Sequence, residues 1–268
     1  EKTMISNTLD DFFASEKSGW YKEIKSGVKT WDAKKVLQFW ALFKQEKIDK
    51  GNFVFENIIF PPLYIPDPKS NQDTGFMYFL FGNQLKGNFK FINCIFQGET
   101  YFIGNNLANL QNQMVEPKVL NGNLQFVDCV FEEEVKIQGM NFNGEVSFQN
   151  SIFNQEFNFV LSNVTSKTYI SKCRFEKRFN CNHNQYFNLY TVSSNNFNSG
   201  FQISACKFHE NFSFSSNILE MDITFHSNHF YKHSGFSRIK TNGDTLFKNE
   251  IYSNALFSKI DFCFSMGR

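Results

Sequence analysis

Residues 124–153 read LQFVDCVFEEEVKIQGMNFNGEVSFQNSIF. Phe131, Phe142 and Phe153 stand 11 apart, and each follows, two residues on, a thinner side chain: Cys129, Met140 and Ser151. Two further apolar positions precede each rung by five and by seven residues, as Phe126 and Leu124 do for Phe131. Inward positions two apart have the period of a β-strand. Their recurrence at alternating steps of five and six residues adds four short sides into a 22-residue coil.

The ladder continues outward from this stretch. Downstream it runs through Val164, Phe175, Tyr186, Phe197, Phe208, Leu219 and Phe230, and reaches Ile251 and Phe262 after one residue is lost near 241. Upstream it reads Leu107, Phe96 and Leu85, with about 13 extra residues between Leu107 and Phe131. No rung is charged. Residues 22 apart then lie over one another at the strand spacing of about 4.8 Å. A coil of this kind cannot bury its inner face alone and is stabilised by its neighbours. The period predicts eight to nine coils. It also accounts for 36 Phe residues in 268, because one structural position is used many times. A helical reading fails, since the Phe positions hold no 3.6-residue period and Asn, Ser and Gly stand where Ala, Leu and Glu would be expected.

Residues 1–50 differ. Residues 10–24 read as a short helix interrupted at Ser18-Gly19, and Thr30 as the N-cap of a second helix reaching about Lys47. Val36, Phe39, Trp40 and Phe43 share one face of that helix, which fits a lid over the first coil. Residues 51–268 form the repeat, with two inserts. The first, 61–75, contains Pro61, Pro62, Pro66 and Pro68, which exclude regular strand pairing. It places Leu63, Tyr64 and Ile65 on a loop as candidate partner contacts. The second, 108–120, projects from a corner.

Cys94-Ile-Phe96-Gln-Gly98, Cys129-Val-Phe131-Glu-Glu133 and Cys206-Lys-Phe208-His-Glu210 resemble the unit of pentapeptide-repeat proteins, and the 11-residue spacing resembles their Phe-rich subclass. The resemblance covers residues 52–60 and 76–264. It implies an all-β, right-handed quadrilateral β-helix with a small N-terminal α-helical cap. It carries no catalytic residue, because the family's motif is structural. Family members of known action include DNA mimics that regulate type II topoisomerases, and effector or scaffold proteins.

The remaining chemistry is sparse. Lys+Arg total 27 and Asp+Glu 26, which speaks against nucleic acid as a partner and against an acidic DNA mimic. The six Cys include no CxxC pair, which argues against zinc and redox motifs. Cys94, Cys129, Cys173, Cys181 and Cys206 fall at inward positions and read as structural thiols, with Cys129 and Cys173 two coils apart. His226, His229 and His233 read as solvent-exposed histidines. Glu132, Glu133 and Glu134 make an acidic corner whose neighbours are mixed in sign. Asn184, Asn195, Asn217 and Asn228, two before their rungs, read as hydrogen-bonded corner residues. No apolar run is long enough to span a membrane; the buried thiols fit a reducing compartment and no signal pattern opens the chain, so a cytoplasmic location is expected. The strand pattern still runs at Phe264, so the last coil is expected either to pair with a second copy or to continue. The expectation is a non-enzymatic scaffold that binds another protein and needs no cofactor. A topoisomerase regulator and a carbohydrate-active β-helix enzyme are the alternatives.

Overall fold

The computed structural model describes residues 9–10, 21–23, 29–66, 73–75, 87–104 and 118–262. Within the repeat, each turn is built from four strands on two faces. In the turn that begins at Leu124, the first face comprises Leu124–Val127 and Val130–Phe131, and the second Val135–Gln138 and Met140–Phe142. Each strand pairs in parallel with its counterpart one turn on, 22 residues later through the middle of the repeat, as Phe126↔Phe148 and Ile137↔Phe159 show. The result is a β-solenoid. Among the described residues the first face has nine levels and the second seven. Six turns, residues 124–254, are uninterrupted; this is fewer than the eight or nine coils expected, because inserts open the early levels and the last level is partial.

The rungs stack as translated copies. Phe96, Phe131, Phe153, Phe175 and Phe197 form one column with centroid steps of 4.6, 4.7, 4.5 and 4.9 Å and rings within 8° of parallel. Phe126 and Phe148 form part of a second column, which meets the first edge-on, at 67° for Phe126 and Phe131. Offset-stacked and edge-to-face pairs are the arrangements that the ring quadrupole favours. One level departs from this. Cys181 stands where other levels carry Phe or Ile, and the space admits two buried tyrosines. The hydroxyls of Tyr186 and Tyr190 lie 2.9 and 3.7 Å from its sulfur.

The corner inside each face has a backbone device that favours Asn, Asp or Gly on the early levels and falls on other residue types later. The position three before the rung has positive φ at Asp128, Gly139, Asn150, Leu161, Lys172, His183, Ser194, Ala205, Ser216, Ser227 and Arg238. This residue shifts the phase of the ladder. The N–H of Asp128 donates forward to Gln149 and that of Val130 donates back to Cys94, so the intervening N–H of Cys129 leaves the ladder. Ser151 Oγ on the next level accepts it at 3.1 Å. Asparagines do the same work: Asn195, Asn217 and Asn228 accept from Cys173, Asn195 and Cys206 at 2.8–3.0 Å. Their amides also donate to the carbonyls of Ile170, Val192 and Ile203. The interior asparagines are hydrogen-bonded corner residues, as expected.

The N-terminal lid is as expected in its face but not in its start. Helix α1, Ala33–Phe43, is capped by Asp32, whose side chain accepts from the N–H groups of Lys34 and Lys35, and it runs on into a π-helical turn at Lys44–Ile48. Thr30 is not the cap; it lies in the strand Lys29–Trp31, which pairs antiparallel with Tyr21–Glu23. Residues 21–23 are therefore strand rather than the end of a helix, and most of 10–24 lies outside the described residues. Val36, Phe39, Trp40 and Phe43 are buried, with Phe43 5.0 Å from Phe55 and Phe39 5.9 Å from Phe60. The lid and the first level share one core.

Both inserts differ from the sequence reading. Tyr64–Pro66 pairs antiparallel with Asp73–Gly75, although prolines were expected to exclude pairing. Pro66 sits at the end of a two-stranded pair, where a missing N–H breaks no ladder. Lys118–Leu120 is not part of the second insert but a strand paired with Met140–Phe142. The register step is 35 residues at Ile103↔Gln138 and 22 at Lys118↔Met140, so the 13 inserted residues are 105–117. The rung before Phe131 is thus Leu120, and Leu107 lies outside the described residues. Downstream, the lost residue is located at Asn249: the step is 22 at Phe225↔Phe247 and 21 at Phe230↔Ile251.

Two outcomes follow for stability. Asn217→Leu strands the backbone N–H of Asn195 and the carbonyl of Val192 and removes one of the two acceptors of the Asn195 amide, which keeps Ile170, and destabilises by about 2–4 kcal/mol in denaturant titration. Asn217→Ser, which keeps an acceptor, costs less than half of that. Leu161 is 47 % exposed at φ 53, so Leu161→Gly relieves left-handed strain at little loss of burial and stabilises by about 0.5–1 kcal/mol.

Candidate binding surface

Leu63, Tyr64 and Ile65 do not form a common exposed patch. Leu63 is fully buried and its N–H donates to Glu99, so it belongs to the core; the chain still follows the coil there because the strand pair begins only at Tyr64. Close packing continues beside it: Trp40 Nε1 donates to the Pro62 carbonyl at 3.2 Å, and Gly98 leaves space for the Pro62 ring, which a Cβ there would meet at 2.4 Å. The side chains of Tyr64 and Ile65 lie outside the described residues.

The five described cysteines are buried free thiols. Burial pushes the Cys173 thiol up to about 12 and raises Cys206 as well. Cys94 lies on the level next to Cys129, since Ile95 pairs with Val130. The 13-residue insert hides that adjacency in the sequence.

The outer walls carry ordered columns. Turns 97–99, 132–134, 154–156, 176–178, 198–200, 220–222 and 242–244 follow one corner and contain nine acidic residues against two basic ones, Lys177 and Arg178. Its first column alternates Glu132, Asn154, Glu176, Asn198, Glu220 and Asn242, and the amides of Asn198 and Asn242 donate to Glu176 and Glu220. Glu134 accepts from the Tyr101 hydroxyl at 2.6 Å and from the Asn158 amide at 2.7 Å. Burial, then Glu99 and Glu132, raises the pKa of Glu133. The sign mixture expected around the 132–134 corner is confined to the single level of Lys177 and Arg178. Near-zero net charge therefore conceals a predominantly acidic edge, interrupted where Arg174 pairs with Glu176 and Lys177 and Arg178 follow.

The opposite corner carries rings. Phe187, His209, Tyr231 and Tyr252 follow their rungs on consecutive levels and stack in a column on the outside. Centroid steps are 4.5, 5.0 and 5.1 Å, with rings within 12° of parallel. Phe187 is 43 % and Tyr252 60 % exposed. Beside them His229 Nδ1 lies 3.0 Å from Glu250 Oε2, and the Tyr252 hydroxyl donates to the same carboxylate at 2.5 Å. Sequence reasoning missed this column because it followed inward positions; the signal was the residue after each rung, read at 22-residue spacing. It also missed the His229–Glu250 pair, which exists only through the one-residue loss at Asn249. His226 and His229 are half-buried rather than fully exposed, and His233 is exposed. Among the described residues no three His, Cys, Asp or Glu side chains converge as metal ligands, and no helix is long and apolar enough to cross a membrane.

Comparisons with protein-family models, with curated proteins and with solved structures find no match for this chain.

Thiol reagents need access, which burial denies to all five described thiols. The five described cysteines are expected to stay unlabelled in the native protein at pH 8 and to react fully in guanidinium, counted by peptide mass. A native adduct on Cys173 or Cys206 would contradict the burial that sets their pKa.

Proposed function

We propose that this chain is a non-enzymatic scaffold of the pentapeptide-repeat kind, and that it binds another protein through the corner bearing Phe187, His209, Tyr231 and Tyr252. The observation that carries the reading is the exposure of Phe187 and Tyr252 at the two ends of an ordered ring column. Aromatic side chains are enriched among the residues that dominate protein interfaces. Here the backbone ladder already holds them in register, so little ordering cost remains at binding. The resemblance of the Cys-x-Phe units supports the family reading, and the buried free thiols support a reducing, cytoplasmic setting.

A second reading is favoured by one specific observation. The corner with Glu132, Glu176 and Glu220 on alternate levels is acidic on balance, as a DNA-mimicking regulator of a type II topoisomerase would need, and it is interrupted at Glu176, which lies 2.5 Å from Arg174 and beside Lys177 and Arg178.

One comparison separates them. A Phe187→Ser/Tyr252→Ser variant and a Glu132→Gln/Glu176→Gln/Glu220→Gln variant are tested for capture of a lysate protein and for inhibition of topoisomerase supercoiling. Loss of one captured protein by at least tenfold in the ring variant alone supports the scaffold. Inhibition by the wild type that disappears in the glutamine variant supports the regulator. Equal behaviour of all three proteins in both assays rejects both.

A further inference from the structure

The ring column contains one member that can change charge near neutral pH. His209 is held between Phe187 at 4.5 Å and Tyr231 at 5.0 Å, inclined by 3° and 12° to them. Its Nε2 is buried and has no hydrogen-bond partner. A neutral imidazole tolerates this by carrying its proton on Nδ1 and leaving an unused lone pair at Nε2. An imidazolium cannot, because both nitrogens then bear protons and one N–H is sealed from water without an acceptor.

We infer that the column is a pH-sensitive latch: protonation of His209 drives its ring out from between Phe187 and Tyr231 and dismantles the contact surface in mild acid. The inference rests on the reading of this corner as the partner-binding surface.

The surrounding charges do not rescue the cation in place. Its own level carries Lys207, of like charge, and Glu210, which is exposed. The preceding level presents Gln185, Asn188 and Leu189, none of them titratable. The following level presents His229, Lys232 and His233, and the one after it Glu250 and Tyr252, where Glu250 is already engaged by His229 and Tyr252. Burial first, and then Lys207, holds the His209 pKa below the ordinary value. A histidine with a lower pKa folded than unfolded keeps its neutral form at pH 7. The stabilisation that its stack provides is present at neutral pH and is lost as pH falls through the folded pKa.

The test uses the protein alone. Histidine side-chain NMR gives the His209 midpoint, and near-UV circular dichroism follows the stacked tyrosines over the same pH range. The expected result is a midpoint below about 6.5, with the tyrosine signal lost at the same pH. His209→Phe keeps a flat ring with no proton to take up and should abolish the tyrosine transition. Lys207→Gln should move both midpoints upward together. A tyrosine signal that stays constant while His209 titrates, or a transition that survives in His209→Phe, overturns the latch. Partner capture at neutral pH is unaffected by either outcome, so the scaffold reading stands or falls separately.

Discussion

Parallel backbone hydrogen bonding between successive levels is the constraint on which the rest of this structure depends. It fixes neighbouring strands at about 4.8 Å and obliges every residue to sit over its counterpart one turn later. A side chain is therefore judged against the residues 22 before and after it. Flat rings satisfy that condition repeatedly, because copies in one rotamer stack face to face while the next column meets them edge-on. Extra residues are tolerated only where they leave the register of the flanking strands whole, as the 105–117 insert does between Gly104 and Lys118.

The same constraint creates an internal cost and its remedy. A strand that turns inward through a left-handed residue loses the phase of its ladder, and one N–H per corner points into the core. An apolar residue at the stacked position would leave it unpaired. Where Ser or Asn stands on the following level it accepts that N–H, as Ser151, Asn195, Asn217 and Asn228 do, and each of these Asn side chains also serves a carbonyl, whereas Cys173, Cys206 and Ile239 occupy the same column over Ser151, Asn184 and Asn217 without such a bond. The polar column in the core is thus part of the backbone's own hydrogen-bonding scheme, and it ties each level to one register.

On the outside, stacking converts sequence period into surface pattern. Residues scattered along the chain gather into an acidic edge on one corner and a ring column on the other. Neither is visible in totals, because net charge sums over all faces. The scaffold supplies rigidity to both, and the partner-facing chemistry belongs to the turns.

The sequence by itself determined the solenoid, its 22-residue turn, the inward columns and the burial of the thiols, because each depends on a period that repeats many times in the chain. It also determined the buried face of α1, since Val36, Phe39, Trp40 and Phe43 recur at helical spacing. Tertiary structure decided what depends on a single event. The insert ends before Lys118 because Leu120 completes a turn against Phe142, which counting from Leu107 could not show. Asp32 rather than Thr30 caps the helix because Thr30 is taken into a strand pair. The left-handed corners fall on Asn, Asp and Gly at Asn57, Asn93, Asp128, Gly139 and Asn150, and on Leu, Lys, His, Ser, Ala and Arg at the later levels, where the closure of the coil imposes them and no side chain announces them. His229 meets Glu250, and Tyr252 joins the outer rings at Tyr231, only because a one-residue loss keeps the final turn in register; contacts across levels are set by that alignment and not by local sequence.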